Sequence, residues 1–238
     1  MIPRRIHYVW VGGDLPAEQQ EFIETWRSTN PDFEIVRWDE SNIDFSNPTV
    51  QEAYDRRQWS KVADFTRLKV IAEQGGIYMD TDFRVFHKLD ALLQHTCFYA
   101  FQTEAHPTDW VSNGVFGAEP NHWFVRKALE RTLAIRQPRF LPERPTAYGP
   151  KLVTALLREE GLSSYNAEGT MVKDVFICPV PMFFPFPMGE QFTPECVTPQ
   201  TVAAHFWAES WAKDLPPLIR ILRTGRRKIR RMLGGSGI

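Results

Sequence analysis

The 238-residue chain has little cysteine, no long apolar run and almost no net charge. Its three cysteines, Cys97, Cys178 and Cys196, contain no CxxC pair. An odd count without metal-ligand spacing argues against a disulfide framework and a zinc ribbon, and fits a reducing compartment. No stretch of about 18 uncharged apolar residues occurs, so no membrane-spanning helix is expected. Strand-like sequence starts by Ile6, so no signal peptide is expected ahead of it. Disorder, collagen and coiled coil are excluded by a hydrophobic fraction of 43% with 24% charged residues.

The formal net charge of −1 hides an asymmetry. From Pro216 onward there are seven Lys/Arg and no Asp/Glu, which leaves 21 basic against 29 acidic residues before it. An acidic body is a poor partner for nucleic acid, whereas the basic end can meet an anionic surface. Within that end, Leu218, Leu222, Ile229 and Leu233 recur at roughly helical spacing among the arginines. The reading is a catalytic body over 1–213 and a basic amphipathic tail over 214–238, with the tail lying at a membrane face. A solvated tail is the plainer alternative.

Along the body, 6–11 reads as a buried strand ending at Gly12-Gly13, 16–29 as a helix stopped by Asn30-Pro31, and 33–38 as a strand. Asn47-Pro48 starts a helix that runs to about 59. The spacing over 61–74 places Val62, Phe65, Leu68 and Ala72 on one helical stripe, with Gly75-Gly76 as its stop. A strand is predicted over 77–86, with short strands at 97–101 and 115–118, helices at 123–135 and 151–160, and late strands at 175–178, 183–186 and 202–206. Strands alternating with helices over the first hundred residues argue for a layered α/β sheet.

The local conflict lies at Asp80-Thr81-Asp82. Strands disfavour Asp, and residues two apart in a strand share a face. Two carboxylates held so repel unless a cation sits between them, and hard oxygen ligands suit Mg²⁺ or Mn²⁺. The pair lies where a strand leaves the sheet, the usual ligand position in open α/β folds. The plainer reading is a solvated strand end. On the preceding helix Asp64 and Arg67 are three apart and share a face. They are read either as a weak surface ion pair or as a buried pair that grips a phosphate or sugar.

These residues carry a resemblance. Ala63-Asp64-Phe65-x-Arg67 followed by Gly75-Gly76-Ile77-Tyr78-x-Asp80-x-Asp82 resembles the DXD-containing sugar-binding region of glycosyltransferase family 32. That family is similar to the large clostridial glucosylating toxins and the yeast initiating mannosyltransferases. The opening Ile2-Pro3-x-x-Ile6-His7-x-x-Trp10-x-Gly12-Gly13 and the late His205-Phe206-Trp207-x-x-Ser210-Trp211 match it in the same order.

The resemblance implies a GT-A-like, Rossmann-type nucleotide-sugar-binding domain with a mixed central sheet. It further implies a nucleotide-sugar donor, Mn²⁺ (or Mg²⁺), and transfer with retention of configuration. By position, Trp10 would stack on the nucleobase, Asp64 and Arg67 would grip the donor sugar, and Tyr78 and Asp80 would contact ribose and phosphate. Asp82 would ligate the metal directly, with Asp80 near it. His205, Ser210 and Trp211 would close over the diphosphate, either His205 or Ser210 completing the metal site. Asn113 would lie near sugar or acceptor, or else be a turn residue before Gly114. For Trp10, His205 and Trp211 the residues themselves equally allow packing roles.

The expected function is a metal-dependent retaining hexosyltransferase, cytoplasmic or peripheral at the inner membrane face. UDP-hexose is the first donor and GDP-mannose the second, with a glycan or lipid-linked glycan as acceptor, as in capsule or surface polysaccharide synthesis. The alternatives are a metal-dependent phosphoester hydrolase built on Asp80 and Asp82, and a non-catalytic sugar-nucleotide-binding module.

Overall fold

A computed structural model describes residues 1–105, 110–135 and 149–208. Tyr148, Ser210, Trp211 and the basic segment 214–238 lie outside the described residues.

A seven-stranded mixed sheet runs through the described residues in the order β2-β1-β3-β6-β5-β8-β7. β1 (Arg5–Val9) pairs in parallel with β2 (Glu34–Trp38) and with β3 (Gly76–Met79). β6 (Val111–Ala118) runs antiparallel between β3 and β5 (Cys97–Phe101). β8 (Val175–Cys178) lies parallel to β5 and antiparallel to β7 (Thr170–Val172). The mixed α/β sheet expected from the sequence is borne out.

Side-chain alternation along the strands builds two cores, one on each face. Ile6, Tyr8, Ile77, Met79, Phe98 and Val115 enter the core beneath α1 (Ala17–Thr29). Tyr78, Tyr99, Phe101 and Phe116 enter the core beneath α3 (Trp59–Gln74), α4 (Trp123–Ala134) and α5 (Pro150–Glu159). Between the faces, at the end of β1 and β3, the site opens.

Three local expectations are corrected. Helix 48–59 ends early: α2 spans Pro48–Asp55, and Arg57 at φ 55 turns the chain before α3 starts at Trp59. The expected α3 stripe of Val62, Phe65, Leu68 and Ala72 does enter one core, and the helix buries Asp64, Thr66 and Arg67 besides. The strand expected over 77–86 breaks at Asp80–Asp82 into β3 and β4 (Phe83–Val85). Residues 180–183 form α6 (Val180–Phe183), one helical turn, in place of the start of a strand at 183. Pro179 and Pro181 fix φ at the start of that turn, and a short apolar run carries no period to tell strand from helix.

β4 does not rejoin the large sheet. It pairs antiparallel with β9 (Ala203–His205), with Phe83 opposite His205. That two-stranded ribbon brings the C-terminal part of the described chain onto the DXD turn.

Candidate functional site

Tyr78 and Asp80 are two apart and leave β3 on its α3 side, so the shared-face rule applies to this pair rather than to Asp80 and Asp82. The Tyr78 hydroxyl donates to Asp80 Oδ1 at 2.7 Å. Asp80 N donates to Gly114 O at 2.8 Å, holding the turn against β6. A Cβ on Gly114 would stand 2.7 Å from Asp80 Oδ2, so any side chain here would have to push this carboxylate aside.

Arg67 is the hub. Its Nη1 donates to Asn113 O at 2.7 Å, its Nη2 lies 3.2 Å from Asp80 Oδ1, and its Nε lies 3.6 Å from Asp64 Oδ1. The guanidinium also covers the Tyr78 ring at 4.5 Å. Its side chain is 7% exposed, so the weak surface-pair reading of Asp64 and Arg67 is overturned. Burial works against this cation, but Asp80, Tyr78 and Asp64 outweigh it and keep it charged. Asn113 lies within β6, not in a turn, and its Nδ2 donates to Asp64 Oδ1 at 2.7 Å.

On the other side of the turn, Asp82 meets the ribbon. His205 Nε2 lies 3.0 Å from Asp82 Oδ1, Ala208 N donates to Asp82 Oδ2 at 2.8 Å, and Phe206 N donates to the Asp82 carbonyl at 2.8 Å. Burial alone would raise the Asp82 carboxyl, but the His205 ring and the Ala208 N–H outweigh it and hold it low. Asp80 moves the other way: burial raises it, Arg67 opposes, and the neighbouring Asp82 raises it further. His205 is enclosed by aromatic rings, with Trp207 edge-on at 4.4 Å and Phe83 at 4.6 Å. Its Nδ1 is buried without a hydrogen-bond partner among the described residues.

Asp80, Asp82 and His205 each offer a ligand atom, and the three atoms lie within 4.8 Å of one another. Two carboxylates and an imidazole suit Mn²⁺ or Mg²⁺ in hardness and charge. The like charges of the two acids, with burial raising one of them, are what a cation there would relieve. The residues present therefore fit a divalent ion, and His205 stands where the sequence left its role open against Ser210.

The acids open into a cavity of about 600 Å³. Trp10 lines it at the end of β1, half-buried, with its Nε1 donating to Gly13 O at 3.1 Å. Gly12, expected only as a strand end, has a packing role. At φ 86, a Cβ on it would lie 2.6 Å from the Trp59 indole, so this glycine admits Trp59 to the cavity wall. Sequence reasoning assigned no role to Trp59, Gln19, Gly114 or Trp207. Trp207 stands out in the structure by its φ of 55, a strained conformation for an aromatic residue. Ser210 and Trp211 lie outside the described residues.

Residues 16–99 match the family described as "Glycosyltransferase sugar-binding region containing DXD motif". The chain is 31% identical over 131 residues to an uncharacterized glycosyltransferase of Acanthamoeba polyphaga mimivirus, covering 51% of this chain and 52% of that one. It is 31% identical over 135 residues to a mannosyl phosphorylinositol ceramide synthase of Saccharomyces cerevisiae, covering 55% and 34%. The chain thus spans from a third to about half the length of these curated relatives. Among solved structures, the PaToxG glycosyltransferase superposes with a TM-score of 0.56 at 17% identity, covering 67% of this chain and 70% of that one. The UDP-bound glycosyltransferase domain of the YGT toxin does so with a TM-score of 0.50 at 11% identity, covering 67% and 77%. The fold is the GT-A-like one that the resemblance implied.

Proposed function

We propose that this chain, whose residues 16–99 match a glycosyltransferase sugar-binding region containing a DXD motif, is a metal-dependent retaining hexosyltransferase using a nucleotide-sugar donor. The observation that carries the reading is the convergence of Asp80, Asp82 and His205 at the mouth of the cavity. A divalent cation held by these three residues supplies electrostatic stabilisation to a diphosphate leaving group.

The remaining roles belong to the chain's own side chains. Trp10 offers an indole face for the nucleobase. Asp64, held by Asn113 and backed by Arg67, presents a carboxylate to sugar hydroxyls. Arg67 acts chiefly as a positioning residue, since its fork is engaged by Asp80 and the Asn113 carbonyl. In the reaction the bond from the sugar C1 to the diphosphate oxygen breaks and the acceptor oxygen bonds to C1 on the same face. The acceptor proton passes to the departing diphosphate. Asp64 is tied into the Arg67–Asn113 network, which supports sugar binding over nucleophilic attack. A trapped glycosyl–enzyme adduct on Asp64 would refute front-face transfer.

Several relatives weigh on the substrates. One is named a mannosyl phosphorylinositol ceramide synthase and others inositol phosphoceramide mannosyltransferases, which favours mannose and a lipid-linked acceptor. The UDP-bound neighbour favours a uracil donor. The basic segment 216–238 suits an enzyme working at an anionic lipid surface. If it does, deleting 216–238 abolishes binding to vesicles containing anionic lipid, and retained binding removes that assignment.

The test is direct. Purified protein with Mn²⁺ and UDP- or GDP-linked hexoses is assayed for release of the nucleoside diphosphate with and without glycan or glycolipid acceptors. Turnover that requires Mn²⁺ and Asp82 supports the proposal. Cleavage of a plain phosphodiester in place of sugar-nucleotide turnover would support a hydrolase. That alternative usually needs ligands for a second metal, and Asp80, Asp82 and His205 are the one three-ligand group among the described residues.

A further inference from the structure

We propose that Glu40 is a positioning residue for nucleobase binding, its carboxylate holding the Gly12-Gly13 loop that sets the angle of the Trp10 indole. The inference rests on the donor reading above, in which Trp10 takes the nucleobase, and deepens it.

β1 ends at Val9, and the chain then leaves the sheet through Trp10 and the two glycines. Gly12 at φ 86 and Gly13 at φ 138 lie where glycine sits without strain. The same freedom gives the loop little preference of its own for this shape, so contacts from outside must select it. Three do. Trp10 N donates to Trp38 O at 2.9 Å, at the end of the β1–β2 pairing. Gly12 N donates to Glu40 Oε1 at 2.7 Å, a short bond to an ionised acceptor. The third contact is apolar, between Gly12 and the Trp59 indole.

Glu40 is exposed and is not one of the residues that line the cavity, so it acts through others. The same Oε1 accepts from the Tyr54 hydroxyl at 3.3 Å, and the Tyr54 ring packs on Trp59 at 5.3 Å. Gly12, Glu40, Tyr54 and Trp59 thus close a ring of contacts. The loop that carries Glu40 is fixed in turn: Asp39 N donates to Asn42 Oδ1 at 2.8 Å, and Ser41 N to Asp39 Oδ1 at 3.0 Å. What the ring governs is Trp10. The indole Nε1 donates to Gly13 O at 3.1 Å, a carbonyl one residue beyond the N–H that Glu40 holds. With Glu40 in place the indole is set before a ligand arrives. Without it, binding must also order the glycine pair, and affinity falls.

The experiment is calorimetric titration of the full chain with Mn²⁺ and, in turn, UDP, GDP and inorganic pyrophosphate. It compares the wild type, Glu40→Ala, Glu40→Gln, Trp10→Ala and the double variant of Glu40→Ala with Trp10→Ala. Glu40 is exposed, so its substitutions should leave the fold intact, which circular dichroism melts check. Glu40→Ala should weaken the tighter-binding nucleotide about tenfold and leave pyrophosphate unchanged. Glu40→Gln keeps an oxygen acceptor and should recover most of that factor. Because Glu40 works through Trp10, Glu40→Ala should lower affinity little further once Trp10 is gone. Unchanged nucleotide affinity in Glu40→Ala, an equal loss of pyrophosphate binding, a Gln variant as weak as the Ala one, or losses that multiply in full in the double variant would each overturn the role of Glu40 and leave the donor reading standing. A wild type that binds no nucleoside diphosphate, or a Trp10→Ala variant that binds it unimpaired, would instead overturn the donor reading at Trp10, and this inference with it.

Discussion

Asp82 and His7 show how differently two polar residues of one small domain behave. Asp82 is held by His205 and the Ala208 N–H, so an Asn in its place can still accept from the Ala208 N–H through its Oδ1 while losing the charge. Asp82→Asn should melt as the wild type does yet lose turnover by about 10²–10³-fold or more, the scale of removing a preorganised charge-stabilising group. Circular dichroism melts beside a nucleotide-release assay check both halves. His7 is structural: it accepts from Trp38 Nε1 at Nδ1 (3.0 Å) and faces the Gly75 carbonyl through Nε2 (3.0 Å), which fixes the neutral tautomer. Burial is the main cause that pushes it down from 6.5 to about 4. The unfolded chain therefore takes up the proton first. The stability His7 contributes is complete above about pH 6.5 and is lost as the pH falls toward about 4, about 3 kcal/mol in all. Urea unfolding of wild type and His7→Gln should show their stability difference shrinking over that window.

At the scale of elements, α3 and its glycine stop do most of the positioning. Burial of Arg67 on three partners makes it a hub that only a planar fork can satisfy. Arg67→Met leaves the buried Asp64 and the half-buried Asp80 without their cation and should cost about 3–5 kcal/mol in denaturant unfolding. Arg67→Lys should recover only part of that, since a point charge cannot reach all three partners. Gly75 ends the helix at φ 65, and a Cβ there would stand 2.7 Å from Pro120 Cδ. Gly75→Ala should destabilise by about 1–3 kcal/mol through strain, read as a lower urea midpoint at unchanged slope. The Gly-Gly stop of α3 and the helix start at Asn47-Pro48 were legible because glycine and proline act through local backbone sterics. The break at Asp80–Asp82 was not, because it depends on partners far away in the chain: Arg67 holds Asp80, and His205 and Ala208 hold Asp82.

For the whole molecule, the site exists only where distant segments meet: β1 from the start, α3 and the DXD turn, β6 from the middle and β9 from the end of the described chain. Metal and donor should therefore stabilise the entire fold. Mn²⁺ with UDP or GDP at a hundred times its Kd should add about 2.7 kcal/mol to stability, seen as a raised melting temperature that EDTA reverses. Asp82→Asn should show no such metal-dependent rise, and an equal rise in that variant would remove Asp82 from the metal site.

The sequence by itself determined the α/β class, most element positions, and a family resemblance through Asp64, Arg67, Tyr78, Asp80 and Asp82. Those features are encoded in local periodicity and in residue types that are costly unless they serve a site. The tertiary structure alone decided that Arg67 faces Asp80, that His205 faces Asp82, that Gly12 makes way for Trp59, and that Gln19 carries an unpaired acceptor. Such pairings join residues far apart in the chain, and no local propensity records which face of a sheet or helix will meet another.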